Sequence, residues 1–364
     1  MTADPPAPAT ARMVDYDHHS LMQAQAIRNT AERIRDLVEA VGPAAPAFVV
    51  MDYGCGPGHS ALDAVSPAVA AYRRLSPEGT LVVRHADQPG NDWGALATLA
   101  FGPEGYHKGA APIRTEFVVG SFYDQLADNG SVALGTCFIA SHWLSRVLSL
   151  EAPGTVLFAD LEGAARRAFE ELARSDWTQF LRCRAAELRS GGYLLVSALG
   201  SLPDATQPNG ARAAGSGIYR ALQRVAAEMV GDGLLDAEAL TRFVFPLWFP
   251  TAAEARAPVD QEPDLAAAFT VIEVETGPTI YNPLDVYADQ LGDPKTYARS
   301  YRGYIRGFAE STLRLHLFEP SAKNEDQVER LTTAFFDRLE ALYRSEPGPH
   351  ASETLITTLV LQRR

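Results

Sequence analysis

The stretch from Ala47 to Ser60, AFVVMDYGCGPGHS, reads as a short buried strand that ends in an acid and spills into glycines at 54, 56 and 58. Phe48, Val49, Val50 and Met51 form an apolar run of the kind that lies covered on both faces of a parallel sheet. Asp52 closes that strand. The glycines allow a sharp turn and bring backbone amides close to a ligand, where any Cβ would collide. A helix is predicted to begin near Ser60. Strand, glycine turn and helix in that order mark the place where open α/β sheets take small molecules.

Spacing narrows the choice of ligand. A dinucleotide fingerprint reads G-x-G-x-x-G and carries its ribose acid about 20 residues on. Here the loop reads G-x-G-x-G, His59 follows, and the next strand-end acid is Asp87, closing TLVVRHAD 35 residues beyond Asp52. That interval holds a full helix and strand, and sets a carboxylate where it can accept both hydroxyls of a ribose. The pattern suits S-adenosylmethionine better than NAD. Glycine in a strand-helix turn has a purely conformational explanation too, and Asp87 has a bland reading as a helix N-cap; the ribose role is favoured for Asp87.

Composition excludes several classes. A net charge of -13 and the lack of a basic stripe argue against a nucleic-acid surface, which needs clustered Lys and Arg. Cys55, Cys137 and Cys183 are widely spaced without a C-x-x-C pair, which argues against a disulfide scaffold or zinc site and suits a reducing cytoplasm. The opening MTADPPAPATAR lacks the apolar core of a signal peptide, and no apolar run approaches the roughly 20 residues that span a bilayer. With 46% hydrophobic residues the 364-residue chain can bury a sizeable core.

Along the chain, residues 20–41 are predicted as one helix with Ser20 as N-cap. Strands are expected at Phe48, at 80–86, in RTEFVVGSFYDQL, in SVALGTCFIASHWLS and at 193–199, with helices over 61–75, 94–101 and about 161–190 between them. Such alternation calls for a doubly wound parallel sheet. AAFTVIEVET and ETLITTLVLQRR add two strands, the last a candidate for an antiparallel finish. The resulting division is a tail over 1–14, an α/β core over 15–200, helical cap insertions over 201–265 and 282–343, and core strands within 266–281 and 344–364.

Several blocks then match a family in order. YDHHSLMQ (16–23), DYGCGPG (52–58), DQPGNDW (87–93), GSFYDQL (120–126), SHWLSRV (141–147) and DWTQFLRCRAAELRSGG (176–192) resemble the motif series of the SABATH methyltransferases. These enzymes methylate carboxyl groups or ring nitrogens of small metabolites with S-adenosylmethionine. The resemblance implies a Rossmann-like class I methyltransferase with a seven-stranded doubly wound sheet and a helical cap, acting as a homodimer. It implies cofactor contacts at Tyr16, Ser20, Asp52, Gly54, Cys55, Gly56, Ser60, Asp87, Gln88, Ser121 and Phe122. Substrate contacts are implied at Gln23, His142, Trp143 and Ile139. Ser60, Gln88 and Ile139 depart from the family's usual asparagine, leucine and aromatic. The asparagines that hold magnesium in some relatives are replaced here by FVFP (243–246) and LSLEAPG (148–154), so no metal is expected.

The chemistry needs no general base, since a carboxylate with a pKa near 4 is already ionised at neutral pH. Neutral donors such as the Gln23 amide and Trp143 indole can fix one oxygen and leave the other free. An arginine would stabilise the charge that disappears as the ester forms. Methylation of a nitrogen or a carbon in the same pocket stays open. On residues alone, Trp143 reads as core, Gln23 as solvent face, and His142 as structural or pocket-lining with equal weight. Phe122, Tyr123 and Trp93 either line the site or pack, and His18 and His19 read as loop residues. Tyr301, Tyr304 and Phe308 share a helix face that reads as core, with some turned to an aromatic or apolar acid.

Overall fold

The protein is described by a computed structural model covering residues 21–43, 46–107, 112–207, 209–278 and 284–364. Tyr16, His18, His19 and Ser20 lie outside the described residues. The helix predicted over 20–41 is two helices, α1 (Leu21–Arg28) and α2 (Ala31–Val41). The break falls at Thr30, whose hydroxyl donates to the Ile27 carbonyl at 2.7 Å, a local bond that competes with helix continuation.

The apolar run at Phe48 forms β1 (Phe48–Tyr53), buried at every position. It feeds α3 (His59–Leu75), β2 (Leu81–Asp87), α4 (Trp93–Phe101), β3 (Ile113–Val119) and β4 (Val132–Phe138). Helix α5 (Gly163–Glu187) runs straight into β5 (Leu188–Leu199). It stops short of the expected end because Leu188 is already extended and pairs with Val132, and Gly191 turns the chain with φ +75°. A short ribbon, β6 (Ser201–Pro203) with β7 (Ala211–Ala213), was not expected; runs of three residues carry no periodic signal.

Four helices follow, α6 (Ser216–Gly231), α7 (Ala237–Thr241), α8 (Ala252–Gln261) and α9 (Pro263–Ala268), of which α8 and α9, expected within a cap insertion over 201–265, pack on the sheet instead because their apolar residues meet those of α5 and the strands. Strand β8 (Phe269–Pro278), helices α10 (Pro294–Leu313), α11 (Glu319–Ser321) and α12 (Glu325–Ser345), and β9 (Leu355–Arg363) complete the chain. The seven-stranded sheet runs β3-β2-β1-β4-β5-β9-β8. Its first five strands are parallel, and β9 inserts antiparallel between β5 and β8.

Two apolar layers cover the sheet. Ile34, Val38, Val65 and Val69 of α2 and α3 pack on Val50, Val83 and Leu134. Phe180 and Leu181 of α5, with Val259 and Leu265 of α8 and α9, pack on Met51, Val196 and Leu361. A third core joins α6, α10 and α12 above the strand ends, with Phe245, Leu247, Trp248 and Phe249 at its base. Within it the buried Asp285 accepts from the Tyr297 and Tyr301 hydroxyls at 2.9 and 2.6 Å. Tyr343 of α12 stacks on Tyr301 at 4.4 Å, which ties α12 to α10.

Candidate active site

At the carboxyl ends of β1, β2 and β4 lies a cavity of about 110 Å³. Asp52, Gly54, Cys55, Gly56, Ser60, Asp87, Gln88, Ser121 and Phe122 all line it. Gly54 has φ +73°, and a Cβ there would meet Ala140 Cβ at 2.5 Å. Glycine is therefore required both by the turn and by the close approach of β1 to the post-β4 segment.

The amides of this turn do not face the cavity as the sequence suggested. Gly54 N and Cys55 N donate to Ala86 O at 2.8 and 3.2 Å, and Gly56 N donates to Asp87 Oδ2 at 2.7 Å. Each is consumed by the end of β2, since buried N–H groups find a partner within the fold wherever one is in reach. Gln88 N donates to Asp87 Oδ1 at 2.7 Å, so both carboxylate oxygens are fixed while each keeps a lone pair for a ligand. Asn91 donates to Gly56 O at 3.2 Å, and Asp92 caps α4 by accepting from Ala95 N at 2.9 Å. The DQPGNDW block thus clamps the glycine turn.

Asp52 is buried and accepts from the Thr136 hydroxyl at 2.8 Å. Burial, with the nearby Asp87 adding to it, pushes its carboxyl up to about 7. Burial also raises Asp87, opposed by its two N–H donors. The buried Ser60 hydroxyl has no partner among the described residues.

Ser121 and Phe122 are held from below by a buried pair at the end of α5. Arg184 bonds Glu187 at 2.7 and 2.9 Å and donates to the carbonyls of Phe122 and Asp124 at 2.7 and 2.9 Å. Glu187 also accepts from the Tyr53 hydroxyl at 2.5 Å and the Ala127 amide at 3.1 Å. Every charge in this brace is paired and hydrogen-bonded, the condition under which a buried ion pair is tolerated.

A second, smaller cavity of about 30 Å³ lies on the cap side. Gln23, Ile139, His142 and Trp143 line it together with Leu199, Ala214, Gly215, Ile218, Tyr219, Tyr304, Phe308 and Ser352. Ile139 and Trp143 line both cavities. Among the described residues Ile139 is the one non-glycine residue with positive φ, 49°. A β-branched residue there is strained, and such strain gathers at ligand sites. Trp143 is fixed by its backbone N–H donating to Ala140 O at 3.0 Å and by the Tyr123 hydroxyl donating to its backbone carbonyl at 2.5 Å. His142 is buried, its Nδ1 has no partner among the described residues, and burial lowers its pKa to about 3, so the ring is neutral.

Every described residue that the resemblance implies as a cofactor or substrate contact lines one of the two cavities. Gln23 is buried rather than on a solvent face, and its amide oxygen lacks a partner among the described residues. Trp93 packs on Phe117 at 5.8 Å and lines neither cavity. Tyr301 is core, whereas Tyr304 and Phe308, one and two turns further along α10, reach the smaller cavity. Sequence reasoning missed Tyr219 and Ser352, which come from the cap and from the loop before β9 and carry no local motif. A larger cavity of about 490 Å³ between α5 and α8 is bordered by Tyr123 but by none of the residues implied as cofactor or substrate contacts, so volume alone points away from the site. Among the described residues no cluster of three metal-ligating side chains occurs, and no helix is long and apolar enough to cross a membrane.

The sheet order and a cavity at its carboxyl ends define a Rossmann-like methyltransferase. The chain belongs to the family described as "SAM dependent carboxyl methyltransferase", whose profile matches residues 11–363. It is similar to salicylate carboxymethyltransferase of Clarkia breweri, 25% identical over 346 residues that cover 89% of this chain and 90% of that protein. Indole-3-acetate O-methyltransferase 1 of Arabidopsis thaliana is 22% identical over 373 residues, covering 94% and 89%. The fold matches a solved loganic acid methyltransferase with SAH at a TM-score of 0.74 and 20% identity, covering 96% of each chain. The family's cofactor is S-adenosylmethionine, and the residues present fit it: a fixed carboxylate at Asp87, a buried hydroxyl at Ser60 without a partner among the described residues, and a wall without a Cβ at Gly54.

Proposed function

We propose that this enzyme converts the carboxylate of a small, aromatic or apolar organic acid to its methyl ester. Two adjoining cavities that share Ile139 and Trp143 support this reading, because a methyl donor and its acceptor must meet across one wall. Asp87 would hold the ribose hydroxyls, Asp52 the cationic end of the cofactor, and Gln88, Ser121 and Phe122 the adenosine, with Gly54, Cys55, Gly56 and Ser60 shaping the turn. Bound S-adenosylmethionine supplies an electrophilic methyl on a sulfonium.

The Gln23 amide and Trp143 indole N–H fix one carboxylate oxygen and leave the second aimed at the shared wall. No described lining residue of the smaller cavity is charged, so the acid's negative charge is not neutralised in its ground state. Neutral His142 withdraws no proton and adds no cation. The acid's apolar body rests on Ile139, Leu199, Ile218 and Phe308.

A homodimer in the cytoplasm, with the core and cap divided as above except that α8 and α9 join the core, completes the proposal; it rests on the family resemblance and on the free thiols Cys55, Cys137 and Cys183. The test is incubation with methyl-labelled cofactor and a panel of acids. Label that extracts into organic solvent and is released by mild base is the expected result. Base-stable label would move the reading to nitrogen or carbon methylation.

A further inference from the structure

Residues 142–145 serve both cavities at once. His142 and Trp143 line the smaller one, and Trp143, Leu144 and Ser145 line the cavity at the strand ends. These residues belong to no helix and to no strand of the sheet, so the place of the Trp143 indole is decided by what grips the backbone around it. Backbone groups supply part of that grip: Leu144 N–H donates to Pro246 O at 2.8 Å, and His142 O accepts from Trp248 N–H at 2.9 Å. Two side chains, neither of them implied as a ligand contact, add to it. The Tyr123 hydroxyl donates to the Trp143 carbonyl at 2.5 Å. Asp176 accepts from the Ser145 backbone N–H at 2.7 Å and from the Ser145 hydroxyl at 2.8 Å.

Each of the two reaches out from an element that also supports the cofactor loop. Tyr123 follows Ser121 and Phe122, and its backbone N–H donates to Ser121 Oγ at 3.2 Å while its ring packs on Phe122 at 4.7 Å. Desolvation, with Asp176 nearby, holds its phenol well above the ordinary value, so the hydroxyl stays protonated and can donate. Asp176 is a buried residue of α5, the helix whose Arg184 holds the carbonyls of Phe122 and Asp124. The loop bearing Ser121 and Phe122 is thus joined to the segment bearing the indole through Tyr123, and both are fastened to one helix. Methyl transfer rewards such a link, because a misplacement of about 1 Å between donor and acceptor costs about 100-fold in rate.

We propose that Tyr123 and Asp176 are positioning residues that couple the two cavities, so that cofactor seated on Ser121 and Phe122 sets the Trp143 indole for the acid. This rests on the carboxyl-methylation reading. Both side chains act through Trp143 and Ser145 rather than on the reacting atoms. Ordering the shared segment for one ligand lowers the cost of ordering it for the other. The coupling is reciprocal: the factor by which cofactor tightens the acid is the factor by which the acid tightens the cofactor.

The experiment uses the acid that wild type methylates best among benzoic, salicylic, phenylacetic, cinnamic and indole-3-acetic acids. Calorimetry gives the S-adenosylhomocysteine Kd with that acid absent and saturating, and steady-state assays give kcat and KM, for wild type, Tyr123→Phe, Asp176→Ala and Asp176→Asn. In wild type the acid is expected to tighten S-adenosylhomocysteine about fivefold or more. In Tyr123→Phe that factor should fall to about twofold or less and kcat by about tenfold, while the Kd without acid stays within about threefold. Asp176→Ala should follow, and Asp176→Asn, whose amide oxygen can still accept from the Ser145 N–H, should recover most of the lost kcat. A shift in melting temperature with S-adenosylhomocysteine shows which variants are folded, and Tyr123→Phe carries the test if Asp176→Ala is not. A wild-type factor near one, or a factor and kcat unchanged in Tyr123→Phe, would overturn the inference and leave carboxyl methylation standing. Equal losses of kcat and of S-adenosylhomocysteine affinity in Tyr123→Phe would also overturn it, since the bond would then only support the fold. Asparagine no better than alanine at position 176 would overturn the part given to Asp176. Cofactor-product binding without methylation of any acid would overturn the inference together with the reading beneath it.

Discussion

Asp52 and Trp143 face the proposed cofactor and acid from neighbouring strand ends, and each has a measurable signature. Asp52 titrates at about 7 in the folded protein against 3.8 for a free side chain. Between those values the folded state keeps a proton that the unfolded chain has lost, so stability falls as pH rises through about 4 to 7. Asp52→Asn abolishes that contribution. Thermal melts should therefore show the variant gaining on wild type across the window and levelling off above pH 7, and parallel curves would assign the slope elsewhere. Trp143→Phe keeps the ring but removes the indole N–H, a loss of about 1.5–3 kcal/mol for a donor to a charged acceptor, or roughly 10–100-fold in kcat/KM. S-adenosylhomocysteine affinity by calorimetry should change less than threefold; equal losses in both would take Trp143 out of the acid site. Asp87 was legible from its register with the glycine turn. Gln23 was not legible from its own surroundings in sequence, because Tyr219, Ser352 and Tyr304, which line the same cavity, arrive from distant parts of the chain.

Among the elements, the end of α5 does more than cross back to the sheet. Arg184 and Glu187 sit in the DWTQFLRCRAAEL block and brace the loop that presents Ser121 and Phe122. Arg184→Met leaves Glu187 buried without its partner, which costs about 3–5 kcal/mol. Urea unfolding should show a loss of that size, and cofactor affinity should drop as the loop loosens. A loss under about 1 kcal/mol would mean that Glu187 finds other partners. The motif was legible as a spacing, but its role was hidden, since only the fold shows Arg184 beneath Phe122. Helices and parallel strands were readable from period and apolar runs. The break at Thr30, the early end of α5 and the β6-β7 ribbon were not, because each is decided by one local bond or a tertiary pairing rather than by pattern.

At the scale of the molecule, alternating elements predicted the doubly wound sheet, and β9 lies antiparallel as a terminal strand was expected to. Its insertion between β5 and β8 was beyond pattern reading, which fixes element type but not neighbour order. The backbone of Trp143 pairs with that of Leu247, which ties the strand-end segment to the aromatic stretch 243–249. Ligand binding at the strand ends should thus stabilise the whole chain. At S-adenosylhomocysteine 100-fold above its Kd the gain is about 2.7 kcal/mol, seen as a rise in melting temperature. No shift at that concentration would argue against a site there.

The turn at Gly54–Gly56 gives its amides to Ala86 and Asp87 and faces the cavity with two carboxylates. Phosphorylated adenosines such as ATP would bring polyanionic tails to two carboxylates, which repel negative charge. The two carboxylates would then disfavour that abundant cellular pool without a dedicated gate. Millimolar ATP should fail to displace S-adenosylhomocysteine in a competition assay, and effective displacement would show that the turn opens to release its amides.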